Sequence, residues 1–142
     1  MLSIQNIADI FLVEDLEEIY ESDRQILECV DENLEFYLSE IDDHFLSEEK
    51  NNMYFNIGFL YSANCESDHD VKKFNHLVKQ IKDKELISKI NYDNFLSGFD
   101  KHQNEFYKAP SELDNDADKA AFYVERALIT KYCTDNINSL KA

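Results

Sequence analysis

Apolar residues recur at spacings of three and four along almost the whole chain, which is the periodicity of amphipathic α-helices. The sequence contains only two glycines and one proline, whereas sandwiches and barrels need many tight turns. The pattern therefore predicts an all-α fold. We expect residues 1–142 to form a single helical domain, a compact bundle of about five to seven helices.

The longest amphipathic segment begins at Leu16 and continues to Phe45. At about 100° per residue, its apolar positions fall within a stripe roughly 120° wide. This phase holds for about 30 residues, or roughly 45 Å of helix. Because Asp23 lies on the stripe and Ser22–Gln25 has the form of a capping box, two interpretations stay open. The segment is either one long acidic helix near the N-terminus or two helices that abut near Ser22.

Two helices are predicted in the middle of the chain. Ser47 is expected to cap a helix over residues 48–63, which is apolar on more than one face and should therefore be central. Ser67 and Asp70 form a capping-box pattern before a second helix, which has one apolar face and one face lined by lysines.

Two further helices are predicted in the C-terminal part. Asp93 is expected to cap one that ends before Pro110, since the residue before proline disfavours the helical region. The last should begin near residues 111–116 and run towards Ile137. We expect no internal repeats, no low-complexity tract and no linker.

The formal net charge of −16 is concentrated in the first third of the chain. Residues 1–50 contain 16 acidic residues against Arg24 and Lys50, a net charge of −14, while residues 51–100 and 101–142 each carry −1. Such a field repels nucleic acid and anionic membranes and attracts basic molecules. We therefore expect a basic protein partner, and neither direct nucleic-acid binding nor membrane binding.

Carboxylates line the face of segment 16–46 that lies opposite the apolar stripe. Like-charge pairs four residues apart, such as Glu17–Glu21 and Glu28–Glu32, should each cost about 0.2–0.5 kcal/mol. A surface shaped only for stability would contain interspersed lysines, as residues 72–89 do. The acidic row is interpreted as a docking surface, against the simpler alternative of a solvated face that aids solubility.

Three aromatic residues could anchor a partner if they are exposed. Phe36 lies off the apolar stripe, and Phe55 and Phe59 share a face of the predicted central helix. The alternative is that these rings fill the core. The predicted partner-binding residues are Glu17, Glu21, Glu28, Asp31, Glu32, Glu35, Phe36 and Asp42.

Signatures of catalysis and of metal binding are weak. The cysteines Cys29, Cys65 and Cys133 lack metal-site spacing, which favours reduced, partly buried thiols. The segment from Glu66 to His69 has one copy of the Glu-x-x-His motif, whereas di-iron bundles need two copies and two further glutamates. We expect no enzymatic activity, no metal and no cofactor.

Sequence signals for membrane insertion or secretion are also weak. The longest nearly uninterrupted apolar run, residues 53–61, is too short to cross a bilayer, and the N-terminus lacks the pattern of a signal peptide. We expect a cytoplasmic location.

Together these patterns favour an acidic binding protein that inhibits a basic, nucleic-acid-acting protein, such as a nuclease, by covering its nucleic-acid site or active site. Two settings fit: a toxin immunity protein or antitoxin, and a phage-type anti-defence inhibitor whose charge mimics DNA. The alternatives are a helical regulatory or adaptor subunit that binds its partner through an apolar groove, and a small enzyme or ligand-binding bundle. The partner's identity and the oligomeric state stay open.

Overall fold

The computed structural model describes residues 24, 26–28, 33–65, 68–107 and 112–141, and within these ranges the chain forms helices and turns without a β-strand. The helices are α1 (Leu34–Asp42), α2 (Ser47–Lys50), α3 (Met53–Ala63), α4 (Asp68–Asp83), α5 (Lys89–Glu105) and α6 (Asp116–Lys141). The predicted all-α fold is confirmed. The predicted N-terminal helix lies largely outside the described residues, so whether it is one helix or two stays a prediction.

Helix α3 is the central helix, as its apolar residues on several faces predict. Every residue from 55 to 63 is buried, and α5 and α6 pack against the helix. A helix that is apolar on several faces is usually surrounded by protein. Within the described ranges, no helix has both the length and the apolar character needed to cross a membrane.

The only two glycines of the chain lie where α3 and α5 cross. A Cβ atom on Gly58 would collide with the carbonyl oxygen of Phe95 and lie 3.0 Å from the amide nitrogen of Phe99. A Cβ atom on Gly98 would collide in the same way with the carbonyl oxygen of Phe55 and lie 3.0 Å from the amide nitrogen of Phe59. The two helices therefore touch through their backbones, which a side chain at either position would prevent.

This reciprocal contact reveals a short repeat that the helical periodicity did not show. Residues 55–59 and 95–99 share the pattern F-x-x-G-F, and each glycine contacts the phenylalanines of the other segment. The expectation of a chain without internal repeats is therefore wrong at this length scale. The pattern was visible in the sequence, but only the packing gives it a meaning.

Aromatic rings fill the space on both sides of the crossing. Phe45, in the turn after α1, packs against Phe59 and Tyr132 with ring centroids 4.6 and 4.9 Å apart. Phe74 of α4 stacks on Phe99 of α5 at 3.5 Å. Such pairs add about 0.5–1.5 kcal/mol each beyond the apolar area that they bury. Because Phe55 and Phe59 belong to this core and are buried, the alternative that they fill the core is confirmed.

The predicted helix over residues 48–63 is broken in two. Asn52 has an extended backbone, with φ −109° and ψ 118°, and its side chain accepts a hydrogen bond of 3.0 Å from the amide of Phe55. An asparagine in this position starts a new helix, because its side chain satisfies an amide that has no partner within the helix. Ser47 is the first residue of α2 and not its cap.

The start of α5 also differs from the prediction. Ser88, and not Asp93, caps the helix, and the Ser88 hydroxyl accepts a hydrogen bond of 3.3 Å from the amide of Asn91. The helix α6 begins within the predicted range, where the side chain of Asn115 caps it by accepting a hydrogen bond of 2.8 Å from the amide of Asp118. The apolar and lysine-lined faces predicted for α4 are both confirmed.

Replacing Gly58 or Gly98 with alanine tests the helix crossing. At an open helical position this change stabilises a protein by about 1 kcal/mol, because alanine is the better helix former. Here we expect the free energy of unfolding to fall by about 2 kcal/mol or more, since the methyl group forces the two backbones apart. Urea denaturation would measure the effect. Ser97→Ala, at an exposed position next to Gly98, is the matched control and should change stability by no more than about 0.5 kcal/mol. A stabilised Gly58→Ala variant would contradict the crossing.

Candidate partner-binding surface

Helix α1 presents one side to the core and a charged side to solvent. Ile41 is buried, and Leu34, Tyr37 and Leu38 pack partly buried against the core. The opposite side exposes five residues, which we call the α1 acidic face. They are Glu35, Phe36, Ser39, Glu40 and Asp43, the last of these just beyond the end of the helix.

Phe36 is the aromatic centre of this face, with 61% of its surface exposed. Glu40 follows it by one helical turn and Asp43 by two, so both carboxylates lie on the same side of the helix as the ring. The ring also contacts the half-buried Tyr37 edge to face, with centroids 5.7 Å apart. A large ring in water, surrounded by carboxylates, is therefore a prominent feature of the described surface.

The carboxylates of the α1 acidic face are not neutralised from within the described part of the molecule. No ion pair there involves Glu35, Glu40 or Asp43. Glu40 and Asp43 are three residues apart, a spacing at which like charges repel on a helix. The negative field of this face is therefore available to a partner.

Asp42 belongs to the internal structure, although it is adjacent to Asp43. The hydroxyl of Tyr132 in α6 donates a hydrogen bond of 2.6 Å to Asp42 Oδ1, and Lys50 Nζ lies 3.2 Å from the same oxygen. The hydrogen bond from Tyr132 is the main reason that the pKa of Asp42 is lowered, with Lys50 acting in the same direction. Burial, reinforced by the hydrogen bond to Asp42, raises the pKa of Tyr132. This carboxylate attaches α1 to α6.

Buried amide groups hold the neighbouring turn. The Asn56 side chain donates hydrogen bonds of 2.8 and 3.1 Å to the carbonyl oxygens of Asn52 and Lys50, and it accepts one of 3.0 Å from Asn136. A buried amide must find such partners, because leaving it unsatisfied costs about 1–3 kcal/mol. These bonds connect the end of α2, the start of α3 and helix α6.

A largely buried ion pair holds α2 against α5. Lys101 Nζ lies 2.7 Å from Glu49 Oε1, and the same ammonium group lies 5.9 Å from the centroid of the Phe45 ring. Together with the contacts of Asp42 and Asn56, this pair connects α1 and α2 to the helices of the core.

The structure places only part of the predicted partner-binding set. Glu28, Glu35 and Phe36 are exposed, and Asp42 is partly exposed but engaged by Tyr132 and Lys50. The predicted residues Glu17, Glu21, Asp31 and Glu32 lie outside the described ranges. The predicted set omits Glu40 and Asp43, although helical spacing in the sequence already places Asp43 in the acidic row near Phe36.

A buried polar cluster crosses the core between α3 and α5. Gln103 Nε2 donates a hydrogen bond of 2.8 Å to Ser62 Oγ, which lies 2.5 Å from His102 Nδ1. Burial lowers the pKa of His102 to about 3, so the imidazole is neutral, and its Nδ1 shares a hydrogen bond with the Ser62 hydroxyl. Ser62 and His102 are both buried, which gives this pair a structural role in the core. The two residues are 40 positions apart, and no sequence signal joined them.

The described thiols are structural. Cys65 and Cys133 are free and buried, and desolvation raises the pKa of Cys65 to about 12 and also raises that of Cys133. Both thiols are therefore protonated at neutral pH and poorly nucleophilic. In the portion of the chain that the structure describes, no group of three or more His, Cys, Asp or Glu side chains is arranged to hold a metal ion.

Comparison with protein-family models finds no match for this chain, and comparisons with curated proteins and with solved structures find no significant match.

Asp42→Asn and Asp43→Asn form a matched pair that separates structural from exposed charge. Both changes remove one negative charge and so reduce repulsion among the acidic residues by a similar amount. Only Asp42→Asn also weakens the hydrogen bond from Tyr132. We expect Asp42→Asn to be about 1–2 kcal/mol less stable than Asp43→Asn in urea denaturation. Tyr132→Phe should cost a similar amount, and combining it with Asp42→Asn should add little. Equal stability of the two asparagine variants would contradict the role of Asp42.

His102 gives a second prediction, on the pH dependence of stability. Its pKa is about 3 in the folded protein against an ordinary value of 6.5, so the unfolded chain binds the extra proton between these pH values. The contribution of His102 to stability is complete above pH 6.5 and decreases as the pH falls towards 3. Relative to His102→Gln, the wild-type free energy of unfolding should fall by about 1.4 kcal/mol per pH unit in this window. Parallel curves for the two proteins would exclude a buried neutral imidazole.

Proposed function

We propose that this protein is an acidic binding protein that inhibits a basic, nucleic-acid-acting protein, such as a nuclease, by covering its nucleic-acid site or active site. The observation that carries the proposal is the α1 acidic face, where Phe36 is exposed among carboxylates that have no described basic partner. Two settings suit this activity: immunity against a toxin, and phage-type inhibition of a host defence nuclease.

In the proposed mechanism, carboxylates attract the partner and an apolar anchor stabilises the complex. Carboxylates meet the lysine and arginine side chains that normally receive phosphates, and their field accelerates encounter with a basic surface. Phe36 supplies the apolar area that keeps the complex together, because aromatic residues near the centre of an interface contribute much of its binding energy. Glu35, Glu40 and Asp43 surround this anchor and set the preference for a basic site.

The rigidity of the face supports tight binding. Asp42 and the turn around Phe45 attach α1 to α6 and to the core, so little order remains to be gained when a partner binds. Preorganised surfaces lose less conformational entropy on association and therefore bind more tightly for the same contacts.

The proposed place of action is the cytoplasm. The free, buried thiols of Cys65 and Cys133 suit a reducing compartment, where proteins that act on nucleic acid are also found.

Charge reversal at the α1 acidic face tests the proposal. The triple variant Glu35→Lys/Glu40→Lys/Asp43→Lys and the single variant Phe36→Ala would each be immobilised beside the wild type. Lysates of the native host, and of any cell that the protein acts against, would be passed over them at low and high salt. We expect the wild type to retain a basic nucleic-acid-acting protein that both variants lose, and to inhibit its activity on DNA or RNA. The affinity of the triple variant should fall by about a hundredfold or more, as expected when close charge pairs are reversed.

The control is Asp100→Lys/Glu105→Lys/Asp114→Lys, which makes the same change in net charge at exposed positions on α5 and before α6. It should bind nearly as well as the wild type. If the triple variant at α1 binds normally, the face is only a solvated surface, and the alternative of a regulatory or adaptor subunit that uses an apolar groove replaces this proposal. Equal losses with both triple variants would show that only the overall charge matters.

A further inference from the structure

The middle of the chain contains a basic segment that contrasts with the acidic N-terminal third. All six lysines of residues 51–100 lie between positions 72 and 89, where only two acidic residues accompany them, so this segment carries a net charge of +4. On α4, Lys72, Lys79 and Lys82 are exposed and lie within roughly 80° of the helix circumference, assuming 100° per residue. They form a row of positive charge along the helix.

A cleft opens at the end of this row, between the C-terminus of α4 and the start of α5. Its volume is about 620 Å³, and its apolar lining comes from Ile81, Leu86, Ile87 and Tyr92. Lys82 lines it as well and thus joins the cleft to the lysine row. A cleft of a few hundred cubic ångströms with an apolar lining is large enough to receive a bulky side chain.

Two aliphatic side chains in the segment that forms the cleft are exposed to water. Leu86, which lines the cleft, is 63% exposed, and Ile90, in the first turn of α5, is 73% exposed. Exposed apolar residues that cluster within a polar rim mark protein-interaction sites more often than single ones do. We call the cleft, Leu86, Ile90 and the row Lys72, Lys79 and Lys82 the α4–α5 corner.

The turn that holds Leu86 outward has an unusual backbone. Glu85 has a φ of +49°, in the left-handed region that favours glycine. The Leu86 amide donates to the carbonyl of Ile81 at 3.1 Å and the Glu85 amide to that of Lys82 at 3.2 Å, which is the Schellman pattern of helix termination. A non-glycine residue in this conformation costs about 1 kcal/mol. This helix end shapes the edge of the cleft and brings Leu86 to it.

We propose that the α4–α5 corner binds an acidic segment of another protein, with a large apolar side chain of that segment entering the cleft and its carboxylates facing the lysine row. Charge complementarity selects this partner. Within the cleft, Lys82 and Lys89 are balanced by Glu85 and Asp93, so the excess positive charge comes from Lys72 and Lys79 farther along α4.

Other anionic partners fit this corner less well. An extended nucleic acid or an anionic membrane would meet the repulsion of a protein with a net charge of −16 over a long distance. A short acidic segment feels mainly the nearest charges, because salt screens exposed charges beyond about 8 Å at physiological ionic strength. The aliphatic lining also suits a leucine or isoleucine side chain better than a phosphate. This surface shares no residue with the α1 acidic face, so the protein would bind two partners of opposite charge.

The test uses a fluorescently labelled peptide of glutamates with two leucines four positions apart, titrated with the full-length protein and followed by fluorescence anisotropy. We expect saturable binding that weakens by about tenfold in each of the variants Lys82→Glu and Leu86→Ser. The matched controls Lys119→Glu and Leu46→Ser, at exposed positions on α6 and before α2, should bind as the wild type does. Peptides with lysine in place of glutamate, or serine in place of leucine, should bind at least about tenfold more weakly.

Several results would overturn the inference. These are no binding at millimolar peptide, equal binding of the acidic and basic peptides, or equal losses in the corner variants and their controls. Stronger binding of a single-stranded DNA oligonucleotide or of phosphatidylserine vesicles would show that the corner recognises another class of partner. The charge-reversed α1 variant should retain peptide binding, so failure at one surface is distinguishable from failure at the other.

Discussion

At the crossing of α3 and α5, backbone atoms take the place of side chains as the packing surface. No side chain fits between the backbones at Gly58 and Gly98. The rings of the neighbouring phenylalanines therefore lie beside the contact, where they pack against the other helices. Phe55 and Phe59 contact Phe45, in the turn after α1, while Phe95 and Phe99 contact Phe74 of α4. One close approach thus organises two aromatic clusters, and the remaining helices are attached through them.

The α1 acidic face is connected to this core indirectly, through contacts at the end of α1. Phe45 connects the core to the end of α1, and the hydrogen bond between Tyr132 and Asp42 connects α1 to α6. The partly exposed carboxylate of Asp42 is thereby engaged by Tyr132 and Lys50, while Asp43 is exposed on the same side of the helix as Phe36. A small number of buried contacts therefore determines which charges stabilise the protein and which remain available for a partner.

The faces of the helices could be predicted from the sequence, because their apolar residues recur with the helical period. Contacts between residues that are far apart in the sequence could not be predicted. The two faces of α4 and the central position of α3 follow from periodicity alone, and Phe36 was correctly placed off the apolar stripe. The break at Asn52 was missed because capping competes with an apolar pattern that continues across it. The different roles of Asp42 and Asp43 were missed because Tyr132, which distinguishes them, is 90 positions away. Similarly, the F-x-x-G-F pattern is visible in both segments, but the sequence does not show that they touch.

The reciprocity of that contact gives the crossing of α3 and α5 an approximate two-fold symmetry. Each F-x-x-G-F segment offers the other the same surface that it receives, which is the geometry by which two identical subunits meet about a two-fold axis. Here both halves belong to one chain, and residues 64–88, which include α4, connect them. Because this connection keeps α3 and α5 in the same molecule, each segment meets the other at a high effective concentration, against which a second molecule would have to compete.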